Sequence, residues 1–480
     1  MATKNKKIIT VNKNMNELDR YNRQVKIWGE DGQKKLTNAK VVIVGADNGA
    51  KYTALPLTAM GLGEIRILGS DKSLGSDMLM DIRLENEFKA EGYVNALRNL
   101  NPNINLISAP IDLETKIGRY FLQDASIIID TTNNPRSKSI VFDYAMEKDV
   151  PVISSGIGNN HAKLMLWKFG RELTLDYLMP NFEGQSQGAL TSLLWGGIIA
   201  EEVKKIILNL KGELSKTLYY NQGADNRFAF SDKKFDDDLE FYKNKSAFVI
   251  GAGALGNIMT IALAEAGIGY VDYLDYDDIE SHNLNRQVLF YDSVGMPKAK
   301  TLANKHRKMN PEAAVRGFVK KFELDKKIIA SGIRKNYDLI LDLVDNLYTR
   351  ATISAYAVMR DSNLISAASS PDAAQVATYV PGKTSCMNHV FAGYYEKGVQ
   401  EEIIRRQSCI AQPDPSVIMT NQIGAALAAL EIRRVLGQDK PFNGFLKYAA
   451  NLDSRLGQSP INKVCNCNYI KDIPDLEVRI

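Results

Sequence analysis

The sequence predicts an α/β protein of two tandem open-sheet domains, the first a diverged copy of the second. Three observations predict this. "AKVVIVGAD" and "SAFVIGAGA" each read as a short buried β-run that ends in a glycine turn. Each is followed by an apolar-periodic helix and a second β-run, "GLGEIRIL" or "GIGYVDYL". The copies hold register, because Gly45–Gly61 and Gly251–Gly267 are both separations of 16 residues. Finally, "ASIIIDTTNN" and "YDLILDLVDN" repeat a strand closed by a polar Asp/Asn turn. Buried parallel strands joined by helices form an open sheet in each half.

The elements follow in chain order. Residues 1–36 hold a Lys-rich flexible tail, its first fourteen residues, and a helix bearing Arg20 and Arg23. Residues 37–210 form the first domain, closing with the strand "DVPVISSGI" and the helix "TSLLWGGIIAEEVKKIILNL". Residues 211–245, with "SDKKFDDDLEFY", read as a solvated connector. Residues 246–458 form the second domain, with the counterparts "SNLISAASS" and "TNQIGAALAALEIRRVLG". Charged sequence at Gly393–Gln407 interrupts it as a loop or short exposed helix, inside a crossover segment at about 384–416. Residues 459–480 are a C-terminal segment. A chain of 480 residues exceeds one ordinary core, which agrees with two domains.

Composition excludes several classes. Apolar residues at 45% and charged ones at 24% are globular proportions. The net charge of +4 has no long basic block, so nucleic acid is not an expected partner. No apolar run reaches membrane-spanning length, and a cytoplasmic location is expected. Four cysteines are too few for a disulfide scaffold. All fall in the last quarter of the chain, which points to a local metal site, a reactive thiol, or both.

Gly251, Gly253 and Gly256 form a turn through which backbone can approach phosphates at a helix N-terminus. Alone, that triplet fits a dinucleotide enzyme as readily as any other. Asp275 closes the next strand, 24 residues after Gly251, where an acid holds a ribose hydroxyl pair. "NLNRQ" contributes Asn283, Arg286 and Gln287, and "GMPKA" contributes Lys298. Hydride transfer has no need of two extra cations beside its nucleotide, whereas ATP cleavage does. Asp345 in "DLVDN" can hold Mg2+ against the phosphates, and Asn346 can contact nucleotide or an incoming carboxylate.

These motifs, with "RYNRQVKIWGEDGQKKL" and "DYDDIESHNLNRQ", resemble the ubiquitin-activating (E1-like) superfamily, which includes the adenylyltransferases of sulfur-carrier proteins. The resemblance implies two tandem Rossmann-like adenylation domains forming an intramolecular pseudo-dimer, one inactive and one active. It implies ATP-dependent adenylation of the C-terminal glycine of a ubiquitin-like protein. Asp275 would hold ribose, Arg286 and Lys298 phosphate, and Asp345 Mg2+. Arg23 would reach across the pseudo-dimer into the other half's ATP site, assisted by Arg20. Further homodimerisation is not required by such a layout.

The first half agrees. Asp47 and Ala50 replace two loop glycines; Gly69, Met80 and Asn133 fall where Asp275, Arg286 and Asp345 stand. Asp47 brings a carboxylate towards any triphosphate, where like charges repel.

Cys409, in "RRQSCIAQPDPSVIMTNQIG", resembles the catalytic-cysteine region of small E1 enzymes. There it would take the modifier as a thioester and pass it to an E2-like cysteine. Sulfur-transferring relatives also place a cysteine here, so the alternative is an adenylyltransferase serving sulfur-carrier activation or thiocarboxylate formation. A non-catalytic modifier-binding scaffold is the remote reading. Arg405 and Arg406 would favour the thiolate if they fold nearby. Cys386, His389, Cys465 and Cys467 stand where the family carries two CxxC zinc pairs, altered here to CxxH and CxC. A Cys3His set suits structural Zn2+.

Overall fold

The computed structural model describes residues 17–74, 77–84, 88–171, 186–224, 227–228, 242–323, 333–334, 336–407, 415–437 and 439–465. Cys409, Cys467, the N-terminal tail and residues 229–241 of the connector lie outside them. The rest of the connector is not simply solvated as expected, because Leu218–Asn221 adds a strand to the first sheet and Arg227 is buried.

In the first half the strands are β1 (Lys40–Val44), β2 (Glu64–Leu68), β3 (Asn105–Ala109), β4 (Ile127–Asp130), β5 (Val152–Ile157), β6 (His161–Trp167) and β7 (Leu218–Asn221). In the second they are β8 (Ser246–Ile250), β9 (Tyr270–Leu274), β10 (Ala314–Phe318), β11 (Leu339–Asp342), β12 (Leu364–Ser369), β13 (Ala373–Tyr379), β14 (Gly444–Ala449) and β15 (Leu456–Pro460). Among the described residues the orders are β3-β2-β1-β4-β5-β6-β7 and β10-β9-β8-β11-β12-β13-β14-β15. The first five strands of each sheet are parallel and the rest antiparallel. Strand order reverses between β1 and β4, and between β8 and β11. At such a switch point an open sheet has its ligand crevice, beyond the carboxyl ends of the strands. The two tandem Rossmann-like sheets expected from sequence are therefore present.

The longer helices among the described residues are α1 (Glu17–Asn38), α2 (Asn48–Met60), α3 (Lys89–Leu100), α4 (Pro135–Lys148), α5 (Ala189–Leu208), α6 (Ala254–Ala266), α7 (Lys298–Met309), α8 (Leu347–Met359), α9 (Tyr394–Gln407) and α10 (Ile418–Val435). The charged insertion at 394–407 is thus helical, and it packs on α8. No helix among the described residues is long and apolar enough to cross a membrane.

The halves share one apolar core running from Leu36 to Leu456. Its centre is α2, α5, α6 and α10, drawn together by small residues. A Cβ on Gly196 would stand 2.1 Å from the Tyr52 carbonyl oxygen, and one on Gly197 2.8 Å from Ile423. Gln422 Nε2 donates across the seam to the carbonyls of Tyr52 and Leu193, each at 2.9 Å.

Buried ion pairs fasten the seam, Lys305 of the second half with Asp81 of the first at 3.1 Å among them. Arg455 of the second half meets Glu202 of the first at 2.9 Å, with both side chains fully buried. Arg227 of the connecting segment pairs with Glu431 of the second half. The pseudo-dimer is therefore a shared interior rather than two bodies in loose contact.

Candidate functional site

The intact loop follows β8. Gly251 has φ +99°, and a Cβ there would lie 2.7 Å from the Leu343 carbonyl oxygen, so only glycine fits. Gly256 is equally constrained, its Cβ position lying 2.4 Å from the Gly251 oxygen. Gly253 differs. Nothing lies within 4 Å of a Cβ built on it, and no side chain caps the helix it opens. No neighbour within the protein excludes a side chain there, which leaves the N-terminus of α6 open.

Asp275 stands at the end of β9 against this loop. Its carboxylate accepts from the backbone nitrogens of Ala252, at 2.7 Å, and Asp277, at 2.9 Å. Burial raises its pKa, against the lowering effect of Lys298 and those two amides. Lys298 opens α7 and pairs with Asp277 at 2.7 Å.

Arg286 is 5% exposed. Its recorded hydrogen bonds go to neutral acceptors, the His282 carbonyl at 2.8 Å and Asn285 Oδ1 at 2.9 Å. Burial, then the nearby Arg23, pushes its pKa down to about 9, with Asp345 opposing. Arg23 arrives from α1 in the other half and its Nη2 lies 3.2 Å from His282 Nε2. Arg20 is a tether instead, donating to the carbonyls of Leu100 and, at 3.4 Å, Leu284. Asp345 is exposed just beyond β11.

Other residues singled out from sequence have local duties. Asn346 caps α8, its Oδ1 accepting from Thr349 N at 2.8 Å. Asn134 caps α4 in the eroded half, so capping accounts for Asn346 without a nucleotide. Asn283 Oδ1 accepts from Glu280 N at 2.9 Å and closes a 3-10 turn. Gln287 is buried, and its Oε1 has no partner among the described residues.

The first half shows how the groups around a nucleotide-type loop are put to other uses. Gly45 keeps its positive φ, +116°. Gly69 leaves no room for the missing acid, since a Cβ would meet the Ala46 Cβ at 2.5 Å. Gln187 Oε1 accepts from Gly49 N at 2.6 Å, occupying the helix-terminal amide a phosphate would seek. Asn133 is tied to both backbone groups of Ile157, at 2.7 and 3.1 Å. A cavity of about 770 Å³ persists between Asp47, Asp71, Asp112 and Gln187.

One cation of the site also survives there, and sequence reading missed it. Lys89 opens α3 as Lys298 opens α7, and Asp47 pairs with it at 3.5 Å. A three-residue offset hid the match, but "KA" stands twelve residues before "NP" at both Lys89 and Lys298. Met80, counted opposite Arg286, lies at φ +56° in the turn between Met78–Leu79 and Ile82–Arg83. The second half has two 3-10 turns, Ser281–Asn283 and Val288–Phe290, in that stretch, so the local backbones differ.

Away from the loop, Cys386, His389 and Cys465 bring ligand atoms within 4.8 Å of one another. Cys386 Sγ is 3.3 Å from His389 Nδ1, and Cys465 Sγ accepts from Cys386 N at 3.1 Å. Three soft or imidazole donors at one point suit a tetrahedral metal. The fourth expected ligand, Cys467, is outside the described residues.

Fold and loop together define a tandem doubly wound α/β protein with two nucleotide-type loops, one keeping its glycines and strand-end acid and one lacking them. The chain belongs to the ThiF family, whose model matches residues 21–240 and again 225–469. Among relatives, the adenylyltransferase and sulfurtransferase UBA4 of Kluyveromyces lactis is 36% identical over 163 residues, 32% of this chain and 36% of that one. The adenylyltransferase and sulfurtransferase MOCS3-2 of Zea mays is 33% identical over 30% of each chain. The sulfur carrier protein adenylyltransferase of Thermus thermophilus is 28% identical over 49% of this chain and 85% of its own. The chain thus spans about a third of the length of the two sulfurtransferases. Among solved structures, E. coli MccB with ATP aligns at TM-score 0.40 and 23% identity, over 48% of this chain and 68% of its own.

Proposed function

We propose that the second half is an ATP-dependent adenylyltransferase that activates the C-terminal carboxylate of a small carrier protein ending in glycine. One observation carries this reading. Arg286 is a buried guanidinium recorded with only neutral acceptors, set beside a second cation, Arg23, from the other half. Burying unpaired charge is costly, and an incoming polyphosphate removes that cost.

In this reading the carrier's carboxylate oxygen attacks the α-phosphorus and pyrophosphate leaves. The Gly251–Gly256 loop admits the phosphates and Asp275 accepts from ribose hydroxyls. Arg286, Lys298 and Arg23 offset charge that grows on the departing phosphates. The exposed Asp345 carboxylate suits Mg2+, which neutralises phosphate charge when bound. The first half is the non-catalytic partner: its acid has no room, its helix terminus is occupied by Gln187, and Asp47 holds its lysine. Cys386, His389 and Cys465 form the structural metal site.

The relatives' names favour sulfur-carrier activation over the E1-type thioester relay expected first. The pairing of an eroded with an intact half in one chain is the observation that favours the relay, in which Cys409 accepts the modifier and an E2-like protein receives it. ATP–pyrophosphate exchange with a candidate carrier tests the adenylation step. Arg286→Ala should lower exchange by about 100-fold or more, and unchanged exchange would sink the assignment. A reductant-sensitive carrier adduct lost in Cys409→Ala selects the relay.

A further inference from the structure

His282 has no part in the roles assigned so far, yet it touches both arginines of the site. Its ring Nε2 lies 3.2 Å from Arg23 Nη2, and its backbone carbonyl accepts from Arg286 Nη1 at 2.8 Å. Arg23 comes from α1 in one half and Arg286 from the turn after β9 in the other. Two like charges are thus held side by side with a single residue between them.

The ring's protonation state follows from its neighbours. A guanidinium has no acceptor, so Nε2 must present its lone pair to Arg23. The ring proton then sits on Nδ1, which faces Glu280 Oε2 at 3.2 Å. Burial, Arg23, Arg286 and Lys298 all lower the pKa of the ring, and Glu280 alone opposes them. Those four side chains are the charged groups recorded as acting on it, from α1, from its own turn and from the start of α7.

We infer that His282 is a positioning residue for the adenylation site: a neutral, Glu280-oriented imidazole that fixes Arg23 beside Arg286 before the nucleotide arrives. This rests on the adenylation reading above and extends it. Without the acceptor, Arg23 loses the contact that holds its Nη2 beside a like-charged neighbour, and that contact must be replaced during binding. Preorganised charge is worth more to a polyphosphate than charge that must be gathered. Protonation of Nε2 breaks the contact in the same way, because both partners then donate.

The test uses the full chain with carbon-labelled histidine, which carries four histidines, so His282→Gln assigns the signal. The ring should titrate below the free-imidazole value of about 6.5, and Arg23→Ala should raise its pKa clearly. An unmoved titration in Arg23→Ala overturns the proposal. Binding of a non-hydrolysable ATP analogue supplies the second readout. His282→Ala should weaken it about tenfold, whereas His282→Gln, whose amide oxygen can accept from Arg23, should stay within about threefold. Adding His282→Ala to Arg23→Ala should cost little more than Arg23→Ala alone. Equal losses in the Gln and Ala variants, or strict additivity with Arg23→Ala, overturn it. If the unsubstituted chain binds no nucleotide, the adenylation reading falls, and the histidine titration still decides whether the clamp exists.

Discussion

Gly253 is where the two halves part chemically, and copying the first half's residue into the second is the sharpest perturbation available. In the first half Asp47 stands in that place and pairs with Lys89 at 3.5 Å. The substitution G253D should therefore bring a carboxylate to a similar distance from Lys298. There it takes the phosphate's place on the lysine and repels the phosphate itself. One unit charge about 4 Å from another, at an effective dielectric constant of about 20, is worth about 4 kcal/mol. That corresponds to a loss of affinity of about a thousandfold. Nothing in the protein lies within 4 Å of a Cβ at this position. The fold should therefore tolerate the change, and G253A should shift unfolding free energy by less than about 1 kcal/mol. Calorimetric titration with a non-hydrolysable ATP analogue and Mg2+, alongside thermal unfolding of the free protein, measures both. Binding of G253D within tenfold of the parent would refute the placement of phosphate at this loop. Strong destabilisation by G253A would show that the glycine serves the fold instead.

The seam and the metal site give two further predictions. Glu202→Ala strands Lys205 and Arg455, both buried and both bonded to Glu202 at 2.9 Å. It should lower the stability of the whole chain by about 3–5 kcal/mol in urea titration; an unchanged midpoint would remove the pair from the seam's energetics. The purified protein should contain about one Zn2+ per chain, and Cys386→Ser should reduce that content and lower the thermal midpoint by several degrees. Absence of metal together with freely titratable thiols would reject the centre.

The first half acts as an internal control on sequence reading. A polar residue with the same local partner in both halves has a structural duty that accounts for it; one present only in the second is the stronger candidate for chemistry. Asp342 pairs with Arg350 at 3.6 Å, as Asp130 pairs with Lys138 at 3.1 Å, so its strand-end position has a structural duty in both halves. Asn346 and Asn134 are both helix caps, and pattern alone could not separate capping from ligand contact, since an Asn before a helix serves either. Gly253 and Asp275 pass the control because Asp47 and Gly69 replace them. Lys298 shows the opposite failure, for a fixed offset hid Lys89, and only the matching starts of α3 and α7 reveal the pair.

The sequence by itself determined the duplication, the parallel strands, the loop after β8 and the erosion of its copy. These are short-range signals: a buried β-run, a glycine at positive φ and an apolar helical period each act within a few residues. Tertiary structure alone decided what each polar side chain meets. Gln187 fills the loop of α2 from about 140 residues away along the chain. Glu202 finds Arg455, and Arg23 finds His282, each across more than 200 residues. The energy of a buried charge depends on the partner packed against it, and that partner is chosen by the folding of the two halves onto one core.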